Sequence, residues 1–191
     1  MATKIACFGE VLFDVFPTHR KIGGAPLNVG LRMASLGIET QIISRIGEDE
    51  IGKELLDFVT QNGVRTDSIQ SDKNFATGEV VVKLDDKGSA SYTINYPVAW
   101  DKIEATPESK NIVANADALV FGSLVCRDTT SYQSLLTLLD SAKYKIFDVN
   151  LRAPFYTKEL LSELMNKADF IKFNDDELYE ISDYLGSPFH S

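Results

Sequence analysis

This 191-residue sequence predicts an α/β fold whose mostly parallel sheet is covered on both faces. Three observations carry that reading. Short continuous apolar runs, such as Ala118-Leu119-Val120-Phe121, lack the polar alternation of a half-solvated strand, so both their faces must be covered. Between such runs lie stretches with helical spacing of apolar residues, some closed by a glycine such as Gly37 or Gly186. Regular alternation of the two patterns is what parallel strands joined by helical crossovers require. The third observation is a break in that rhythm, where two strand-like runs flank Asp85-Asp86-Lys87-Gly88, good chemistry for a hairpin turn.

In order, residues 4–9 read as the first buried strand, and 11–16 as a short strand able to pair with the later hairpin. Residues 26–36 form a helix: Pro26 presets its first turn and Gly37 occupies the position after its cap. A strand over 40–46 and a helix over 53–61, closed near Gly63, follow. The hairpin comes next, with runs 77–84 and 89–96. In its second run Ala90, Tyr92, Ile94 and Tyr96 share one face, with Ser91, Thr93 and Asn95 on the other. A small sheet with one greasy face is not stable alone and must cover the main domain or a second copy of the chain. It reads as a lid. The alternation then resumes with helices at 107–115, 131–142, 157–167 and 175–185 and strands at 118–122, 145–149 and 170–173. Residues 1–10, 23–75 and 99–191 are thus assigned to an α/β core, and 11–22 and 76–98 to the β lid.

Composition narrows the function. With 44% hydrophobic and 10% aromatic residues there is material for one sizeable core. A net charge of −9 without a basic stripe excludes a nucleic-acid partner, whose phosphates demand clustered Lys and Arg. Cys7 and Cys126 sit in apolar runs far apart in sequence, which predicts buried free thiols. The apolar run 5–8 is too short for a secretory leader, and no later run approaches a membrane span, so the cytoplasm is the expected compartment.

Four segments carry candidate chemistry. Gly23-Gly24-Ala25-Pro26-Leu27-Asn28 lets the backbone approach a ligand closely and brings N–H groups and the Asn28 amide to one concave spot, suited to a polyhydroxylated substrate. Gly47 to Lys53 mimics a phosphate-binding loop, but Glu54 stands where a hydroxyl should hold magnesium and Glu48, Asp49 and Glu50 would repel a triphosphate. A strand-to-helix turn is the better reading there. Asn174-Asp175-Asp176-Glu177, after a run that carries Lys172, reads as a capping box, and a helix N-terminus also suits phosphate. Asp148-Val149-Asn150-Leu151-Arg152 lies at the end of a buried strand, where open α/β sheets bind ligands; an Asn/Asp-rich turn with a solvated Arg152 fits the pattern equally. Arg127 is a weaker candidate of the same kind.

Taken together, Gly9-Glu10 with Asp14, the segment from Gly23 to Gly52, the lid-like hairpin, Pro97-Val98-Ala99-Trp100-Asp101, Asp148 to Arg152 and Asn174 to Glu177 resemble the ribokinase-like (PfkB) carbohydrate kinases in order and spacing. Within that family the Ala-Trp-Asp segment and the run from Asn150 to Tyr156 look most like fructokinases. The resemblance implies a three-layer α/β/α fold with a small β lid, and transfer of the ATP γ-phosphate to a sugar hydroxyl with Mg2+. It implies that Asp14, Gly24 and Asn28 hold sugar hydroxyls, with Arg152 beside them and Tyr96 and the lid covering the sugar. It also implies that Asn174, Glu177 and Lys172 serve the ATP and magnesium region, Glu177 through a metal-bound water. Fructose is the expected substrate; ribose, 2-keto-3-deoxygluconate and nucleosides are alternatives, as is a non-catalytic sugar-binding module. Pairing of two copies through the lid is a further expectation. The family's second signature, which carries the catalytic aspartate, has no counterpart before Ser191, so the chain alone is expected to bind sugar at most. In a full-length enzyme Glu177→Gln is expected to lower turnover with MgATP while leaving thermal stability nearly untouched.

Overall fold

The computed structural model describes residues 2–84 and 90–186. Six strands, β1 (Lys4–Phe8), β4 (Glu39–Gly47), β5 (Ile69–Asp72), β8 (Ala118–Gly122), β9 (Lys145–Asp148) and β10 (Phe170–Lys172), form one sheet in the order β10-β9-β8-β1-β4-β5. Every pairing in it is parallel. Around it lie α1 (Ala25–Ser35), α2 (Glu50–Gln61), α3 (Pro107–Asn115), α4 (Thr129–Leu139), α5 (Lys158–Lys167) and α6 (Asp175–Leu185).

Successive strand residues point to opposite faces, and the core divides accordingly. Cys7, Ile42 and Val120 pack with Leu27 of α1 and Leu55 and Val59 of α2. Their sequence neighbours Ala6, Phe8, Ile43, Leu119 and Phe121 pack instead with Val113 of α3, Leu135 and Leu138 of α4, and Leu161 and Leu164 of α5. The sheet is therefore the middle of three layers, as expected. Both cysteines are free and buried, and burial pushes the Cys7 thiol up to about 12.

A second sheet stands over the strand ends. β2 (Leu12–Val15), β3 (Arg20–Gly23), β6 (Gly78–Leu84) and β7 (Ala90–Ile94) pair in the order β3-β2-β6-β7, with β2 and β6 parallel and the outer pairings antiparallel. The expected hairpin and its pairing with the segment after β1 are both present; the turn at 85–88 lies outside the described residues.

Some elements depart from expectation for identifiable reasons. β3 and β5 went unpredicted because Arg20-Lys21-Ile22-Gly23 and Ile69-Gln70-Ser71-Asp72 each hold only one apolar branched residue; their neighbours' ladders recruit them. α2 starts three residues earlier than expected, since the Asp49 side chain accepts the Gly52 N–H at 2.7 Å and caps it. The Asp128 carboxylate does the same for α4 by accepting the Thr130 N–H at 2.9 Å, so that helix begins at Thr129. β7 ends at Ile94, which leaves Tyr96 beyond the strand.

Candidate functional site

α1 begins where β3 ends, and the turn between them is tight. Gly24 has φ +114°, a conformation that L side chains rarely adopt, and a Cβ there would stand 2.2 Å from the Glu10 carbonyl oxygen. No side chain of the Gly24 position can cap the helix, so the Glu10 carboxylate does: its Oε1 accepts the Ala25 N–H at 3.2 Å. The first turn of α1 is thereby pinned against the segment that leaves β1.

Between this turn, the lid and the carboxyl ends of the strands lies a cavity of about 460 Å³. Glu10, Asp14, Gly24, Asn28, Asn150 and Arg152 supply its polar lining. Apolar cover comes from Leu12, Val80 and Ile94 of the lid and Leu124 of the core, with Tyr92 at the mouth. Four of the expected sugar residues, Asp14, Gly24, Asn28 and Arg152, thus share one cavity. A second cavity, about 340 Å³, opens at the amino ends of the strands and is lined by Lys4, Glu39, Arg65 and Asn115 among others; all the motif residues lie away from it.

The cavity is charged at its floor. Burial pushes the Glu10 carboxyl up to about 7, with its own backbone N–H, the Ala25 N–H and Arg152 pulling it back and Asp148 adding to the rise. Asp14, half-buried, is also raised by loss of water, with Arg152 and Lys21 opposing. Lys21 lies directly across from Asp14 in the β2–β3 pairing. Two carboxyl groups therefore face one guanidinium, that of Arg152, across the cavity.

The loop that carries Asn150 and Arg152 is held from behind. Asn150 sits at φ +41°, and the next residue, Leu151, donates its N–H to Glu177 Oε1 at 2.9 Å. Glu177 Oε2 accepts the Asn174 N–H at 2.9 Å, and the Asn174 side chain accepts the Glu177 N–H at 2.9 Å, completing the expected capping box. Glu177 is 6% exposed. It thus joins the start of α6 to the loop that bears Arg152. Lys172 of β10 places Nζ 2.9 Å from Asp148 Oδ1, the register partner beside it on β9.

Two expected roles need correction. Tyr96 does not line the cavity: its hydroxyl donates to Asp128 Oδ2 at 3.1 Å, and Tyr92 and Ile94, four and two residues earlier on the same face, take the covering positions. Arg127 is a structural residue. Its Nε and Nη2 reach Asp101 Oδ1 and Oδ2 at 2.7 and 2.8 Å, and its guanidinium lies 3.9 Å above the Trp100 ring. The false phosphate loop is structural as expected: Asp49 also accepts the Thr77 N–H and hydroxyl at 2.8 and 2.7 Å, which fastens the base of the lid to the core. Among site residues, Glu10 and Asn150 fall inside segments noted in the sequence but were assigned no role of their own there. The one available signal was a carboxylate placed directly after a fully apolar strand end.

A lid-covered cleft at the carboxyl edge of a parallel α/β/α sheet defines the class of protein. The chain belongs to the pfkB family of carbohydrate kinases, whose pattern matches residues 2–187. It is 29% identical over 199 residues to the probable fructokinase-7 of Arabidopsis thaliana, an alignment covering 92% of this chain and 58% of that protein. The structure of fructokinase with bound ATP from Xylella fastidiosa superposes with a TM-score of 0.89 at 25% identity, over 98% of this chain and 63% of that one. An uncharacterized sugar kinase from Pyrococcus horikoshii in complex with ATP gives a TM-score of 0.88 at 26% identity, over 96% and 67%. The chain spans about three fifths of the length of the curated relatives it matches.

Proposed function

We propose that this chain carries the sugar-binding half of an ATP-dependent kinase that phosphorylates a hydroxyl of a neutral sugar, fructose first among candidates. The observation that carries the reading is the convergence of Glu10, Asp14, Asn28 and Arg152 on one lid-covered cavity. Hydroxyls both donate and accept, so a polyol satisfies two carboxyl groups, an amide and a guanidinium together. A sugar acid such as 2-keto-3-deoxygluconate would pair with Arg152 but would face the charge of Asp14 and Glu10. That balance favours the neutral sugar. The fructokinases among the relatives support the same choice.

ATP is assigned to the region of Asn174, Glu177 and Lys172, a reading supported by the ATP complexes of similar proteins. The Glu177 oxygens each accept one backbone N–H and each retain a second lone pair, so the carboxylate can still receive a water of hydrated Mg2+. Among the described residues no group of three or more His, Cys, Asp and Glu side chains is set to hold a metal. This donor set fits Mg2+, which keeps its waters and binds largely through substrate phosphates; it would supply charge neutralisation on the phosphoryl oxygens. The exposed Tyr92 side of the lid is the proposed meeting surface for a second copy, and sedimentation velocity reads that association directly.

Calorimetric titration with fructose, ribose, glucose and 2-keto-3-deoxygluconate tests the sugar assignment. Saturable binding with fructose ahead of the sugar acid is expected. Absence of binding by every neutral sugar overturns the assignment.

A further inference from the structure

Glu10 is 1% exposed, yet among the described residues only one of its two carboxyl oxygens finds a hydrogen-bond partner. Oε1 caps α1 through the Ala25 N–H, while Oε2 is buried with no hydrogen-bond partner among the described residues. Buried polar atoms are nearly always paired, so an orphaned carboxyl oxygen on a cavity wall marks a place where a ligand completes the pairing. The same side chain lines the cavity that holds Asp14, Asn28 and Arg152. Its position is also fixed: the Gly24 turn passes so close to the Glu10 backbone that no Cβ fits between them.

We propose that Glu10 is a specificity-determining residue of this cavity, its Oε2 accepting a hydrogen bond from one hydroxyl of a neutral sugar while Oε1 stays on Ala25. The inference rests on the sugar-site reading above and deepens it. A hydroxyl donating to an ionised carboxylate forms a charge-assisted bond, stronger than the bond to a neutral carboxyl. Sugar binding therefore selects the ionised form of Glu10. With its carboxyl poised near 7 by burial, part of the population must release its proton to solvent as the sugar binds at neutral pH. Affinity rises with pH through that range and levels off above it.

The groups facing Glu10 are Asp14 from β2, with Lys21 across from it on β3; Asp148 from β9 and Arg152 from the loop after it; and Cys126 from the turn after β8. Burial holds the Cys126 thiol far above its ordinary value, so it stays neutral across the range. Asp14 is the other carboxyl raised by burial, and it needs a separate control.

The test is calorimetric titration of the whole chain with fructose between pH 5.5 and 8.5, in two buffers of different ionisation enthalpy. The wild-type protein is expected to release a fraction of a proton on binding at pH 7, and to bind roughly 30-fold more tightly at the top of the range than at the bottom. Glu10→Gln keeps a carbonyl for Ala25 but presents a donor in place of Oε2. It should bind fructose roughly 10- to 100-fold more weakly at high pH and lose both the pH step and the proton release. Asp14→Asn should weaken binding yet retain the step. Wild-type affinity and pH profile in Glu10→Gln, or no proton release by the wild-type protein in either buffer comparison, overturns the role of Glu10 and leaves the sugar site standing. A wild-type protein that binds none of the neutral sugars overturns both.

Discussion

Glu177→Gln separates two accounts of the segment from Asn174 to Glu177. The sequence alone suggests that the amide would preserve the capping geometry and leave stability almost unchanged. The structure says otherwise, because both carboxylate oxygens are engaged by backbone donors, Asn174 N–H on Oε2 and Leu151 N–H on Oε1, each at 2.9 Å. Glutamine offers one acceptor and one donor, so one of the two N–H groups must face an NH2. A hydrogen bond to a charged group contributes about 1.5–3 kcal/mol, and Glu177 is buried, so losing one should cost about 2 kcal/mol. For a protein of this size each kcal/mol shifts the melting temperature by about 2–4 °C, which places the expected fall at roughly 4–8 °C. The loss at Leu151 has a second consequence, since that amide anchors the loop bearing Arg152: sugar affinity should drop although Glu177 does not line the cavity. Scanning calorimetry and sugar titration on the same preparation measure both effects. A variant with wild-type melting temperature and wild-type sugar affinity would refute the coupling and confine Glu177 to the phosphate region.

Asp101→Ala leaves Arg127 charged and buried against Trp100, since the pair is 0% and 2% exposed; a loss of about 3–5 kcal/mol is expected, and a urea midpoint close to wild type would contradict it. Gly24→Ala puts a Cβ 2.2 Å from the Glu10 carbonyl at a φ of +114°, so the turn must move, and fructose titration should show binding lost in whatever fraction remains folded. Glu10 also ties stability to pH: the folded protein holds its proton up to about 7 whereas the unfolded chain releases it near 4.5, so the folded state binds more protons between those values and stability falls as pH rises through them. Relative to Glu10→Gln, wild-type stability should decline by about 3 kcal/mol from pH 4.5 to 7, measured by urea unfolding across that range; parallel profiles would show that Glu10 is not buried as described.

The α/β alternation was legible without coordinates because it is local. Phe8, Phe121 and Phe147 lie in runs whose apolar continuity demands cover on both sides, and Gly37 closes its helix by occupying the left-handed region at φ +79°. The residues of α1's entry turn, and the capping box at α6, were legible for the same reason: a few neighbouring positions determine them. What the chain's order could not convey was which distant groups meet. Arg127 and Arg152 look alike in sequence, each following a strand end. One is neutralised by Asp101 and sealed under Tyr96 and Trp100, and the other stands in the cavity. Tyr92 and Tyr96 share a strand face by parity, yet β7 ends between them, and Asp128 draws the later hydroxyl away. Glu10 shows the distinction most directly. Its identity is local, but its burial, its raised proton affinity and its unpartnered oxygen arise only when β1, the Gly24 turn and the loop after β9 close around it and remove water.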